Sequence, residues 1–359
     1  MTFEPLLSTL ALTMDKKGKI DYASAGVSLK AADEAVAKIK ALAKGTFTPN
    51  VLSEIGSFGG LFRMPVEEYR EPVLVASTDS VGTKLKLAFM SGIHTTIGQD
   101  IVNHCVNDIL VQGARPLFFM DYLGVGRLVP AVLADIISGL AAACRENDLA
   151  LLGGETAELP GFYNEGEYDL VGTVVGAVDR ARIVDGSAIR DGDIILGLPS
   201  VGLHTNGYSL ARKICFEIAG LKIDSRVEML GDQIGRELMK VHRSYLRPVM
   251  ALMNQILPAG MAHITGSGLP GNLIRIIPEK LEAVIHRGSW PTLPIFTFLQ
   301  ETGRVADNDM YDAFNMGIGY IIVVRPTEAE AAAGILSRQG QPSYRIGEIM
   351  AGHRAVRLV

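Results

Sequence analysis

Asp100-Ile-Val-Asn-His-Cys-Val-Asn-Asp-Ile-Leu-Val-Gln-Gly-Ala-Arg-Pro116 organises the rest of the chain. At ~100° per residue, a helix places Asp100, Asn103, His104, Asn107 and Asp108 on one face. Ile101, Val102, Cys105, Val106 and Ile109 fall on the other. Gly113 suits the left-handed position after a helix C-terminus, and Pro116 prevents the helix from resuming. The polar face of an ordinary surface helix is built from Lys, Glu, Gln and Arg. Here every polar side chain is short, and two carboxylates flank His and Asn. Short carboxylates suit a hard cation such as Mg²⁺, which takes one or two protein oxygens and leaves the rest to water and phosphate. The stripe is therefore either a solvated face or a line of ligands looking into a site.

A chain of 359 residues corresponds to about two domains. Hydrophobic residues make up 48%, enough for substantial cores. Lys+Arg number 34 against Asp+Glu 39, for a net charge of −5. With no long basic run, nucleic acid is not expected as a main partner, although a local basic pocket for an anionic small molecule is compatible with this balance. Cys105, Cys144 and Cys215 are widely spaced with no C-x-x-C, which argues against a disulfide framework and a zinc site and fits a reducing cytoplasm. The apolar run Leu6–Met14 is short and lacks a preceding basic residue, unlike a signal peptide. No window is long and apolar enough to span a membrane.

Ser28 is placed to cap a helix from Leu29 to about Lys44. Gly56-Ser-Phe-Gly-Gly-Leu-Phe62 is glycine-rich but is not a P-loop, and alone reads as a flexible connector. Pro72–Thr78 reads as a buried strand running into Asp79-Ser-Val-Gly-Thr-Lys84. An Asp at a strand end followed by Gly and Lys is the local chemistry of a nucleotide or metal site, and also of a plain Asp turn. A helix is expected over Thr83–Ser91, a strand over Leu117–Leu123 and an amphipathic helix over Pro130–Glu146. Leu149–Leu152 is a third strand ending in Gly153-Gly-Glu-Thr-Ala-Glu158, and Leu170–Val178 a fourth. The polar segment Asp179–Asp193 separates two domains.

The second half restarts with a strand at Ile194–Leu198. Its loop carries Ser200, His204, Thr205 and Asn206 into a helix from Tyr208 to Ala219, a ready anion site, with His204 equally readable as a packing histidine. A long helical region is expected over Gln233–Leu257, perturbed at Pro248. His263-Ile-Thr265 precedes Gly266-Ser-Gly-Leu-Pro-Gly271, which matches the dinucleotide fingerprint in letters only. The following helix has room only from Asn272 to Ile277 before Pro278, so a dinucleotide site is not expected. A helix at Asp307–Phe314, a strand at Tyr320–Val324, a helix at Thr327–Ser337 and strands at Tyr344–Ile349 and Val356–Val359 complete the chain.

Acid-bearing segments at Asp79, Asp100/Asp108, Glu155 and Asp307/Asp309 stand without a P-loop motif. That combination points to phosphoryl transfer organised by Mg²⁺ and carboxylates.

Asp108-Ile-Leu-Val-Gln-Gly-Ala-Arg-Pro116 resembles the D-x4-G-A-x-P signature of a superfamily of ATP-dependent enzymes. The resemblance extends through Asp21–Val27, Ser77–Lys84, Val106–Ala114, Leu117–Tyr122, Gly153–Glu158, His204–Leu210, Ile264–Asn272 and Phe314–Gly319. In that order these segments are similar to the AIR synthase family, the phosphoribosylformylglycinamidine cyclo-ligases. The resemblance implies two α/β domains of α+β type. The first, 1–183, would bind ATP and dimerise, its sheet pairing into a barrel across a homodimer; the second, 184–359, would be mixed α/β. Alternation of strands and helices alone favours a doubly wound parallel sheet instead.

The implied activity is cyclisation of formylglycinamidine ribonucleotide with ATP and Mg²⁺, in the cytoplasm, without nucleic acid or membrane. It assigns Asp79, Asp100 and Asp108 to the metal, and Gly82, Thr83 and Lys84 to phosphates. Gly56, Gly59 and Gly60 would form a mobile cover, with His204, Asn206 and Glu155 on the substrate and Asp108, His204 and Lys40 in catalysis. Asn103 and His104 replace residues that are apolar in the family, so His104 could itself join the site. Selenophosphate synthetase, thiamine-phosphate kinase and formylglycinamidine synthase are rivals within the superfamily. A non-catalytic nucleotide-binding subunit is the rival from another class.

Overall fold

The computed structural model describes residues 39–359. In the first half, β1 (Pro72–Ser80) alternates exposed and half-buried residues, the mark of a strand with one covered face. A 3₁₀ turn, Gly82–Lys84, leads into α1 (Leu85–Ser91), which Gly92 ends at φ 70°. Next come α2 (Thr95–Leu110), β2 (Arg115–Val125), α3 (Pro130–Glu146), β3 (Ala150–Glu158) and β4 (Tyr168–Asp179). The strand order is β1-β4-β2-β3, with β2 and β3 parallel across the α3 crossover and the other pairs antiparallel. Helices α2 and α3 cross closely enough that a Cβ on Gly139 would lie 2.0 Å from the Thr95 carbonyl oxygen. Glycine is what lets the two backbones meet.

The second half contains β5 (Ile194–Pro199) and α4 (Tyr208–Arg212), which continues as a π-helical turn over Lys213–Ile218. A small hairpin, β6 (Arg226–Val227) and β7 (Asp232–Gln233), precedes α5 (Ile234–Leu238) and α6 (Leu246–Met253). Then follow β8 (Gly260–His263), α7 (Gly268–Leu273), β9 (Leu281–Ile285), α8 (Pro294–Gly303) and α9 (Asp307–Ala313). The chain closes with β10 (Ile318–Val324), α10 (Ala329–Arg338), β11 (Tyr344–Ala351) and β12 (Ala355–Leu358). Their sheet runs β12-β9-β11-β5-β10-β8, and β12/β9 is its parallel pair. Every residue of β10 is buried, so this strand runs through the core. The fold is the two-sheet mixed α/β arrangement that the resemblance implied, in place of a doubly wound parallel sheet.

Three local expectations change. The helical region over Gln233–Leu257 is broken by coil between α5 and α6, and Pro248 sits in the first turn of α6, where a missing N–H costs no helix hydrogen bond. β3 runs on through Glu155, so this acid lies in a strand rather than in a loop. The strands β8 and β9 and the helix α8 were not anticipated, being short segments with no clear alternation. The glycines of the dinucleotide-like string have a packing role. A Cβ on Gly268 would come within 1.7 Å of the Tyr311 carbonyl oxygen, and the Asn272 amide donates to the carbonyls of Thr265, Gly266 and Gly268. Of the helix expected from Leu29, residues 29–38 lie outside the described ones, and its end at Lys44 matches.

Candidate active site

The polar stripe of α2 is neither solvated nor wholly a row of ligands. Asp100, Asn103, His104 and Asn107 are buried, and Asp108 keeps 25% of its side chain exposed. Asn103 donates to the His242 carbonyl at 2.8 Å, and Asn107 donates to the Arg243 carbonyl at 2.8 Å. Asn107 also accepts the Tyr245 N–H at 3.0 Å, and Asp100 accepts the His242 N–H at 2.7 Å. Short side chains are what this face requires, because the backbone of residues 242–245 lies directly against it. The stripe is mainly a seam that docks the second half onto the first. Its His104–Asp108 end opens into the site.

Lys84 and Asp100 form an ion pair of 2.7 Å with both side chains fully buried. The Lys84 ammonium also donates to the carbonyls of Lys240 at 2.8 Å and His204 at 3.1 Å. Burial lowers the Lys84 pKa and raises that of Asp100 against their mutual attraction. With its donors spent and no exposed surface, Lys84 reaches no phosphate here, and Asp100 offers no open oxygen to a cation. Both expectations took side-chain chemistry without burial into account. Gly82 (φ 67°) has open space around it, and exposed Thr83 touches Ser209 at 3.2 Å, so these two remain available.

At the open end of the seam, four of the chain's seven histidines meet. Asp108 Oδ1 lies 2.8 Å from His263 Nδ1, and His263 Nε2 lies 3.0 Å from His242 Nε2. His242 Nδ1 is 3.3 Å from the Thr205 hydroxyl, which is 2.6 Å from His104 Nδ1. His104 Nε2 closes the ring, 2.9 Å from Asp79 Oδ2 and 3.6 Å from Asp108 Oδ2. His204, held at φ 62°, stacks on His242 at 4.1 Å. A non-glycine residue in that region is strained, a condition that clusters at functional sites. His204 Nε2 accepts the Val201 N–H at 3.4 Å, while its Nδ1 is buried without a partner.

The charges sort by contact. Burial opposes ionisation of His104, but the Asp79 hydrogen bond and the charges of Asp108, Asp79 and Asp100 raise its pKa. Burial pushes Asp79 and Asp108 upward, yet the imidazoles of His104 and His263 respectively bring both below the usual carboxylate range. Burial, reinforced by neighbouring cationic groups, holds His204 and His242 well below 6.5 and therefore neutral. Because their folded pKa values are depressed, the unfolded chain binds more protons as pH falls. Stability is thus fully present above about 6.5 and is lost as pH drops from there toward the folded values. In chelator, the unfolding free energy should fall between pH 7 and 5, each such histidine adding about 1.4 kcal/mol per pH unit to the slope. Denaturant titrations of wild type and His242→Gln should differ by one proton in that window. Equal slopes would remove His242 from the account.

A second locus lies toward the opposite edge of the first sheet. A cavity of about 570 Å³ is lined by the Gly56–Gly60 loop, Met120, Asp121, Leu133, Ile137 and Gly153–Thr156. Gly56, Gly59, Gly60 and Glu155 gather here, and Lys40 Nζ lies 3.1 Å from where a Cβ on Gly56 would sit. Asp121 is buried beside Gly154, and burial pushes its carboxyl up to about 7. Register places Asp79, Gly172, Asp121 and Gly154 in one row across the sheet. The expected residues therefore divide. Asp79, Asp108, His204 and Asn206 belong to the domain junction, and Lys40, the glycine loop and Glu155 belong to the cavity.

Comparison with known proteins agrees with this architecture. The model of the AIR synthase related protein N-terminal domain matches residues 66–178, and that of the C-terminal domain matches residues 190–359. The phosphoribosylformylglycinamidine cyclo-ligase of Alkaliphilus oremlandii is 49% identical over 338 residues, covering 94% of this chain and 99% of that protein. The one from Syntrophotalea carbinolica is 50% identical over 336 residues, covering 94% and 96%. The chain belongs to the AIR synthase family of phosphoribosylformylglycinamidine cyclo-ligases. Among solved structures, the hydrogenase maturation protein HypE in complex with ATP superposes with TM-score 0.66 at 19% identity, covering 93% of each chain. Thiamine-monophosphate kinase from Stenotrophomonas maltophilia does so with TM-score 0.65 at 19% identity, covering 90% of this chain and 95% of that one. These two likenesses concern the fold.

In this AIR synthase family member, two site residues escaped sequence reasoning. His263 ends the unforeseen strand β8, just before the glycine string Gly266–Gly271. His242 lies in the coil that interrupts the expected long helix. The one signal for either was histidine itself, scarce in a chain that has seven.

Proposed function

We propose that this chain catalyses the ATP-dependent closure of formylglycinamidine ribonucleotide to aminoimidazole ribonucleotide, releasing ADP and phosphate in purine biosynthesis. The observation that carries the reading is the partly open array of Asp79, Asp108, His104 and His263 at the domain junction, within a chain of this family. Asp79 and Asp108 are the two reachable carboxylates, 42% and 25% exposed, and fit a hard cation that uses one or two protein oxygens. Mg²⁺ held there would neutralise charge on the nucleotide phosphates. Gly82 and Thr83 offer open backbone and a hydroxyl to phosphate, and buried Lys84 holds that turn in place. The formyl oxygen accepts the γ-phosphoryl group, which makes the formyl carbon electrophilic. The amidine-side nitrogen then bonds to that carbon, its C–O bond breaks, and phosphate leaves while the nitrogen loses its proton.

His204 and Asn206 serve the substrate. Neutral His204 has a ring nitrogen free to hold a hydrogen bond or move a proton, and Asn206 Oδ1 sits 3.5 Å from where a Cβ on Gly266 would lie. Lys40, Glu155 and the Gly56, Gly59 and Gly60 loop close over the cavity. The domains divide at 183/184, between the two sheets. No helix of the described residues is long and apolar enough to cross a membrane, and three free cysteines suit a cytoplasmic enzyme.

The enzyme acts as a homodimer. The first sheet's outer face leaves Leu74 64%, Met120 38% and Tyr122 36% exposed, next to a groove of Phe62, Met64, Phe118 and Val175. An apolar sheet face of this kind marks an interface. Purified chain should release ADP only when formylglycinamidine ribonucleotide is added, and should scatter light as twice 38.5 kDa. ADP release indifferent to that substrate would sink the activity, and a single-chain mass at micromolar concentration would sink the dimer.

A further inference from the structure

Asp121 lies apart from the domain junction, in the cavity beneath the Gly56–Gly60 loop. It is 9% exposed, and among the described residues no side chain hydrogen-bonds or ion-pairs with its carboxyl. Only its own backbone N–H is directed to it. The neighbouring strand makes room for this placement, since a Cβ on Gly154 would lie 2.3 Å from Asp121 Oδ1. Burying a carboxyl without a partner is costly, and burial accordingly pushes its pKa up to about 7. Near neutral pH the group is divided between acid and carboxylate. In both forms it lacks a partner.

The lining limits what could serve as that partner. Ile39, Leu128, Leu133, Ile137, Leu151 and Leu152 make most of the wall apolar. A Cβ on Gly59 or Gly153 would meet nothing within 4 Å, so bare backbone borders open space at two further points. The other charged or titratable groups are Glu54 and Glu155 in the lining, Lys40 against Gly56, and Cys144 of α3, which burial keeps a thiol. An apolar cleft with one buried polar group suits a small organic ligand whose polar edge that group orients.

We propose that this cavity receives an amidine edge, an N–C–N group with at least one N–H, and that Asp121 binds it through both carboxyl oxygens. The inference rests on the proposed function for its sources, because both substrates of that reaction carry such an edge. One is N1 with the 6-amino group of adenine, and the other is the amidine of formylglycinamidine ribonucleotide. Toward neutral adenine the acid form is the complement: its O–H donates to N1, and its carbonyl accepts from the amino group. Toward a cationic amidine the carboxylate is the complement, accepting two N–H groups in a bidentate, charge-assisted pair. The two sources therefore respond to pH with opposite sign.

The test is calorimetric titration of the full-length chain with adenosine and, separately, benzamidine, at pH 6 and pH 8. Neither probe carries phosphate, so neither needs Mg²⁺ or turnover. Adenosine bound ~10-fold more weakly at pH 8 than at pH 6 would make the nucleotide base the occupant. Benzamidine bound ~10-fold more tightly at pH 8 would make it the substrate's amidine. Asp121→Asn, checked for folding by circular dichroism, keeps one donor and one acceptor. It should hold adenosine equally at both pH values and weaken benzamidine at least ~10-fold, whereas Asp121→Leu should weaken both by that factor. Should a variant not fold, the wild-type pH response decides. Neither probe binding, equal wild-type affinity at the two pH values, or undiminished affinity in folded Asp121→Leu would each overturn the inference. Substrate-dependent ADP release with neither probe bound would overturn it and spare the ligase reading. Binding through Asp121 in a chain that releases no ADP would overturn the ligase reading alone.

Discussion

Lys84→Ala should lower the unfolding free energy by about 3–5 kcal/mol, as expected when one member of a buried pair is removed. Lys84 and Asp100 are both fully buried, so the surviving carboxylate would have neither solvent nor a cation. The carbonyls of His204 and Lys240 would lose a donor in the same step. A double variant, Lys84→Met with Asp100→Leu, removes both charges at similar volume and should recover much of the loss, because replacing a whole buried pair by apolar groups is often neutral. Urea denaturation of the wild type, the two single variants and the double variant measures the coupling directly. If Lys84→Ala unfolds like wild type but binds nucleotide far more weakly, Lys84 is a phosphate ligand and the docking role assigned to the pair is wrong.

Asp108→Asn should reduce turnover by about 10²–10³-fold while the chain stays folded. Asparagine keeps the shape but removes the charge that draws His104 and His263 together at 3.6 and 2.8 Å. It also removes one of the two reachable carboxylates proposed as Mg²⁺ ligands. The amide should still fit beside Ser77, which donates to the present carboxylate at 3.3 Å, so circular dichroism and the melting transition should change little. Steady-state ADP release at saturating Mg²⁺ and ATP is the readout. Wild-type turnover in a folded Asp108→Asn chain would take Asp108 out of the reaction.

Much of the architecture was legible because it follows from local periodicity. The split faces of α2, the end of α1 at Gly92 and the extent of α3 each depend on residues within a few turns of one another. The family resemblance supplied the two-sheet arrangement, which alternation of strands and helices alone would have misread as doubly wound. It also grouped Asp79 with Asp108, two carboxylates that the structure brings to the same imidazole, His104. Local pattern failed where tertiary contacts override it. The coil before α6 is held by Asp100, Asn103 and Asn107 on a helix more than 130 residues earlier, and no helical propensity within 233–257 encodes that grip.

The sequence by itself determined most helices and strands, the family and the short polar stripe. Which stripe residues meet solvent, a charge or a site was decided only by tertiary structure. Asp100 and Asp108 are chemically identical and share one helix face, yet one is sealed against Lys84 and the other remains a quarter exposed beside two imidazoles. Periodicity gives a side chain its direction. Burial and its partners set its charge and reach, and they come from β8, the His204 loop and the coil at His242, segments that only folding brings to α2.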